Sequence, residues 1–284
     1  MYVSVAVMDT GIFRHMDFDT RIAGFADFVG RKKYLYDDNG HGTHVAGIIA
    51  GSGKGSNGKY RGIAPDTFLV SVKVLDKSGN GKIENVVEAA GWIIENKSAM
   101  NIRVVNISFG TRAKMENGPA IETGEDDYAL IMAVEKMWDS GIVVVAAAGN
   151  NGPGNTSVTA PGISKKIITV GAFDDKNFFS GRGPTRECIV KPEVVVTGSN
   201  IIACNNHQGR YSSKSGTSMA APVVSGAVAR LIKNNPDITP KEVKIWMKSC
   251  CKKINVPSEK QGWGVLDIRK FVTCLLYTSP SPRD

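Results

Sequence analysis

Short, nearly uninterrupted runs of aliphatic and β-branched residues punctuate this chain, and stretches of helical periodicity lie between them. The runs fall at 3–8, 68–75, 103–108, 142–147 and 167–171. A strand with one wet face would alternate apolar and polar residues. These do not, so they read as strands covered on both faces, as in a parallel sheet. Helical patterns fall at 44–50, 83–96, 126–140, 218–234 and 240–250. In the second of these, Val86, Val87, Ala90, Ile93 and Ile94 recur at the spacing of one helix face. Thr239, Pro240 and Glu242 make a helix start, with threonine at the N-cap and proline in the first turn. Strand and helix in alternation predict an α/β protein: a three-layer, doubly wound, mostly parallel sheet with helices on both faces.

At 284 residues the chain is long enough to bury a large core without staples, and no shift in composition marks a second domain. No apolar run approaches the roughly 18 residues of a membrane span, which argues against a membrane partner. The net charge of +8 includes basic clusters at 31–33 and 241–253. They carry no interleaved aromatics and no nucleic-acid module, so they read as solvated surface and not as a nucleic-acid site. The five cysteines, Cys188, Cys204, Cys250, Cys251 and Cys274, are odd in number and include an adjacent pair. That suits reduced thiols and a cytoplasmic location better than a disulfide framework.

Three segments carry chemistry. Asp9 closes the first apolar run, and doubly wound sheets gather functional groups at the carboxyl ends of their strands. His41 lies between Gly40 and Gly42 at the opening of a helical pattern, exposed enough to act as a base. His44 follows three residues later. The H-E-x-x-H spacing of zinc proteases is absent, so His44 reads as a packed structural histidine. Ser218 opens the apolar pattern at 218–234, where free N–H groups and the helix dipole would stabilise an oxyanion; alone, it could equally be an N-cap. A serine becomes a nucleophile when a histidine takes its proton and a carboxylate fixes that imidazole's tautomer.

Asp9-Thr10-Gly11, the run from His41 to Gly47, and Gly216-Thr217-Ser218-Met219-Ala220-Ala221-Pro222 resemble the three signature motifs of the subtilase family, in that family's order. The similarity spans 3–272. The segments at 60–65 and 181–185 point more narrowly to intracellular-type bacterial subtilisins. The resemblance implies a serine endopeptidase with Asp9, His41 and Ser218 as its triad, Asn150 as an oxyanion donor, and broad specificity. It implies that Gly79, Asn80 and Gly81 on one side, and Ser108, Phe109 and Gly110 on the other, sandwich an extended polypeptide substrate by β-augmentation. It also implies a structural calcium, with Asp19 at a ligand position. The loop at 51–62 stands where other calcium ligands lie, yet it carries Lys54 and Lys59; Asp37, Asp38 and Asn39 form an alternative oxygen cluster. Met16, Thr197 and Ala221 depart from residues common in the family. A non-catalytic peptide-binding relative is the rival reading, disfavoured because every triad position is filled.

Both ends look unusual beside that family. The first strand starts almost at Met1, which suggests a shortened N-terminus. The peptidase domain is expected to occupy 1–272. Residues 273–284, rich in Ser and Pro, are expected to be a disordered tail and resemble the translation of a sequencing-library adapter.

Overall fold

A computed structural model of the chain describes residues 2–111, 125–177 and 179–273. The tail assigned to 273–284 therefore lies, from 274 onward, outside the described residues.

The apolar runs become the middle of one nine-stranded sheet. In chain order its strands are β1 (Ser4–Asp9), β2 (Ile22–Asp27), β3 (Phe68–Lys73), β4 (Ile102–Ile107), β5 (Val143–Ala147), β6 (Ile168–Ala172), β7 (Val194–Val196) and, after a separate hairpin, β10 (Cys251–Lys252) and β11 (Val265–Leu266). The hairpin is β8 (Ile201–Cys204) with β9 (Tyr211–Lys214). Across the sheet the order is β10-β11-β7-β6-β5-β4-β1-β3-β2, and every pairing except β10 with β11 is parallel. β1 lies between β3 and β4, where the winding reverses, and in such sheets the crevice opens at the carboxyl ends of the strands beside that reversal.

The helices are α1 (His41–Ala50), α2 (Ile83–Asn96), α3 (Glu125–Asp139), α4 (Thr217–Asn234), α5 (Pro240–Ser249), α6 (Ser258–Gln261) and α7 (Ile268–Val272). α1, α4 and α7 cover one face; α2 and α3 pair over the other. The strands feed both cores by their two-residue pleat. Val5 and Val7 of β1 join the core under α1 and α4, while Ala6 and Met8 join the core under α2 and α3. β5 repeats the pattern, with Val143, Val145 and Ala147 on the first side and Val144 and Ala146 on the second. This explains why the runs are apolar at every position. α5 starts at the capping box seen in the sequence: Thr239 accepts from the Glu242 N–H, and the Glu242 carboxylate accepts from the Thr239 N–H.

Candidate active site

Three loop-or-helix starts converge on the carboxyl ends of β1, β4 and β5. Asp9 is the last residue of β1 and is fully buried. His41 is the first residue of α1, and its Nδ1 lies 2.7 Å from Asp9 Oδ1. The same carboxylate oxygen accepts from the Thr10 N–H at 2.8 Å, while Oδ2 has no hydrogen-bond partner among the described residues. A carboxylate so held makes Nδ1 the protonated nitrogen, which leaves Nε2 as the basic one. Burial opposes protonation of the imidazole, but the charge and hydrogen bond of Asp9 outweigh it, and the His41 pKa stands above its ordinary value. Lys214 of β9 pulls it down and Asp37 adds a smaller upward push.

Ser218 sits in the first turn of α4. Its hydroxyl donates to the Ser108 carbonyl oxygen at 2.8 Å, so it must turn away from that oxygen to give a proton to His41. The Ser218 carbonyl is tied as well, accepting from the Ser108 hydroxyl at 2.9 Å. Pro222 explains why that carbonyl is available: lying four residues on and lacking an N–H, it cannot give the usual helical bond back to Ser218. Ser108 Oγ in turn accepts from Asn106 Nδ2, whose Oδ1 accepts from Ser225 Oγ. The end of β4 is thus stitched to α4 by side chains.

Asn150 follows β5. Its Oδ1 accepts from the Thr217 N–H at 3.0 Å and from Thr217 Oγ1 at 3.1 Å. A backbone N–H can pair only with the oxygen of an amide, so these contacts fix which way the side chain faces. Its Nδ2 then stands beside Gly216, where an added Cβ would come within 3.2 Å of it. The amide N–H groups are left to donate at the foot of α4, next to the Ser218 position.

The two proposed substrate rails face each other across a cleft of about 950 Å³. Gly79, Asn80 and Gly81 line one side and Phe109 and Gly110 the other. The first rail is shaped by Asp76, whose Oδ1 accepts from the Ser78 and Asn80 N–H groups and lets Gly79 turn at a φ of 78°. Asp9, His41 and Ser218 do not line this cleft; Ser108 joins the two regions through its bonds to Ser218.

The model of the Subtilase family matches residues 2–264. The chain belongs to that family. Serine protease AprX of Bacillus subtilis (strain 168) is 42% identical over 274 residues, an alignment covering 87% of this chain and 60% of AprX. Subtilisin DY of Bacillus licheniformis is 35% identical over 244 residues, covering 85% of this chain and 81% of its own. Among solved structures, a cold-adapted subtilisin-like serine proteinase is 30% identical with a TM-score of 0.73, covering 93% of this chain and 86% of the other. Sphericase reaches a TM-score of 0.78 at 26% identity, with 93% and 90% covered. The subtilase chain described here therefore spans about three fifths of the AprX relative's length.

The residues that the family resemblance suggested for calcium do not suit it. Asp19 Oδ1 is bonded to Lys54 Nζ at 3.0 Å, which places an ammonium where a cation would sit. Asp37 is buried with both oxygens taken by protein donors, and Asp38 holds Lys73 Nζ at 2.7 Å. Among the described residues, His15, Asp17 and Cys204 bring three donor atoms close together. The Asp17 carboxylate there already accepts from the Gly53 and Gly55 N–H groups and from Tyr211 Oη, so the group reads as a hydrogen-bonded knot. Sequence reasoning passed over Asp17, although its place after His15 in a loop facing 51–62 was the available signal. It also passed over Thr217, whose contacts orient Asn150.

His44 is packed as expected. It is fully buried, and its Nε2 lies 3.1 Å from the Ile201 carbonyl and 2.9 Å from the Ser212 carbonyl. Burial drives its pKa down to about 4.

Proposed function

We propose that this subtilase is a serine endopeptidase that cuts extended polypeptides through an acyl-enzyme on Ser218. The observation that carries the reading is the 2.7 Å contact of His41, at the start of α1, with a fully buried Asp9 at the end of β1. His41 Nε2 takes the Ser218 proton as the oxygen attacks the scissile carbonyl carbon. The oxyanion that forms is met by the Asn150 amide and the Ser218 N–H in the first turn of α4. The imidazolium then gives its proton to the leaving amine. Water enters, gives a proton to His41, and releases the acyl group with Ser218 restored. Asp9 stays ionised throughout and stabilises the imidazolium.

Substrate selection in this reading is by backbone pairing with the rails at 79–81 and 108–110, which favours breadth over a single sequence. No step needs calcium. A cytoplasmic setting is the reading proposed from the cysteine count and spacing; among the described residues Cys188, Cys204, Cys250 and Cys251 are free thiols. No described helix is long and apolar enough to cross a membrane.

The test is covalent labelling by a serine-directed phosphonate together with a casein digest read by mass spectrometry. Labelling and cleavage are expected in the parent chain and lost in Ser218→Ala. A labelled Ser218→Ala, or cleavage that survives the substitution, would refute the assignment.

A further inference from the structure

α1 begins with no capping side chain of its own. Its N-cap is Gly40, at a φ of 95°, and no side-chain bond comes from that residue. The N–H groups at its start are shared among three side chains: the His41 N–H donates to Asn39 Oδ1 at 3.0 Å, the Gly42 N–H to Thr10 Oγ1, and the Gly40 and Thr43 N–H groups to Asp37, three residues before the cap. Asp37 Oδ1 accepts from the Gly40 N–H at 2.8 Å and the Asn39 N–H at 3.0 Å, and Oδ2 accepts from the Thr43 N–H at 3.0 Å and from the Thr43 hydroxyl. The fifth donor belongs to β1's end: Thr10 Oγ1 gives its proton to Asp37 Oδ1 at 2.9 Å and accepts from the Gly42 N–H at 2.9 Å. Thr10 is also the residue whose N–H holds Asp9 Oδ1. The backbones of Gly11 and Asp37 are bridged as well.

This network acts where tolerance is least. An added Cβ on Gly42 would come within 2.2 Å of the Gly11 carbonyl oxygen and 3.2 Å of Asp9 Oδ1. The first turn of α1 therefore lies directly on the segment that carries Asp9. A shift of either element moves His41 relative to its carboxylate.

We propose that Asp37 is a positioning residue for the hydrolytic reaction, fixing His41 against Asp9 through Thr10 and the first turn of α1. The proposal rests on the reading of Asp9, His41 and Ser218 as the triad. Asp37 touches no substrate atom; it sets where the imidazole stands. A second effect follows from its charge. His41 is faced by Asp9 from β1, by Lys214 from β9 and by Asp37 from the loop before α1. Asp37 is itself faced by Thr10, Asn39, Thr43 and Asn206, while Lys73 turns to Asp38 and the Thr10 carbonyl. A second buried carboxylate near the imidazole favours its protonated form.

The experiment compares the parent chain with Asp37→Asn and Thr10→Val, using phosphonate titration of active sites and the pH profile of kcat/KM on a peptide amide. Asp37→Asn keeps the volume but loses the charge and one of two acceptor oxygens. It is expected to lower kcat about tenfold or more per titrated site with KM nearly unchanged, as for a misplaced catalytic group. The acid limb of its profile is expected to move to lower pH. Thr10→Val keeps the charge and breaks the link between Asp37 and Gly42, so kcat is expected to fall with the limb unmoved. A purely structural cap would lower the number of titrated sites and the melting temperature without moving the limb. That result for Asp37→Asn, or an unmoved profile with parental kcat, overturns the proposal. If Asp37→Asn does not fold, Thr10→Val decides, and parental kcat there overturns it. A parent chain that phosphonate cannot label removes the triad reading and the proposal with it, whereas a labelled parent with an unmoved Asp37→Asn profile removes the proposal alone.

Discussion

Acidification should destabilise this protein through His44 before carboxylate titration becomes the main cause. In the fold the imidazole is buried, with Nε2 committed to two carbonyls and Nδ1 without a partner among the described residues. Burial holds its pKa at about 4, against 6.5 for an exposed imidazole. A group whose folded pKa is depressed in this way takes up its proton in the unfolded state first. The stability that His44 contributes is therefore fully present above pH 6.5 and falls as the pH drops toward 4. The full shift corresponds to about 3 kcal/mol, a sizeable part of the 5–15 kcal/mol typical of a domain. The assay is urea unfolding from pH 7 to pH 4.5 in a Ser218→Ala background, which prevents self-digestion. His44→Gln serves as the reference, because its amide can keep the donor to Ile201 or Ser212 but cannot titrate. The parent should lose about 2–3 kcal/mol more than His44→Gln across this range. Equal losses in the two chains would refute the reasoning, since the remaining histidines and carboxylates are common to both.

Three further outcomes follow from the site. Asn150→Leu should lower kcat by roughly 10²–10³ with little change in KM, a magnitude known for an oxyanion donor of a subtilisin; a defect mainly in KM would assign Asn150 to ground-state binding instead. The rate of serine acylation should rise with pH through a midpoint above the ordinary imidazole value, because Asp9 raises the His41 pKa and only the neutral imidazole accepts the serine proton. An acylation rate that falls between pH 6 and 8 would contradict the assignment; the stabilisation that His41 draws from Asp9 has the opposite pH dependence, being complete below the unfolded pKa and lost as the pH rises through the folded one. Gly42→Ala should abolish activity and lower the melting temperature, because its methyl would meet the Gly11 carbonyl oxygen at 2.2 Å; a fully active variant would show that the contact between α1 and β1 is loose.

The strands that the sequence made legible are those sealed on both faces. The runs at 3–8, 103–108 and 142–147 differ from β1, β4 and β5 by a residue or so at their ends. β2 was missed for a physical reason: it is an edge strand, largely half-buried, and its Gly24 leaves room for Met100, so it lacks the continuous apolar signal. β7 is three valines, too short to show a period. The sequence pattern starts α1 at 44 because Gly40 carries no capping side chain, and the first N–H groups are received by Asn39, Thr10 and Asp37, all upstream. Asp9, His41, Ser218 and Asn150 were legible because their motifs are local. Thr10 and Thr217 were not, since each works through a partner distant in sequence, and Asp37 was read only as a cation ligand although its oxygens are taken by backbone and hydroxyl donors. Asp19 illustrates the opposite failure: a position can match a metal ligand by alignment while its neighbour in space is Lys54.

Pro222 gives α4 a vacancy that the rest of the molecule uses. A regular helix would spend the Ser218 carbonyl on its own ladder and could slide along its axis by small amounts without losing a bond to its surroundings. Here that carbonyl receives the Ser108 hydroxyl, and the Ser108 carbonyl receives the Ser218 hydroxyl, so two opposed bonds pin one turn of α4 to the tip of β4. Any axial drift of the helix lengthens both. If Ser218 is the nucleophile, as proposed, its position is tied directly to the tip of β4 as well as to the core beneath α4.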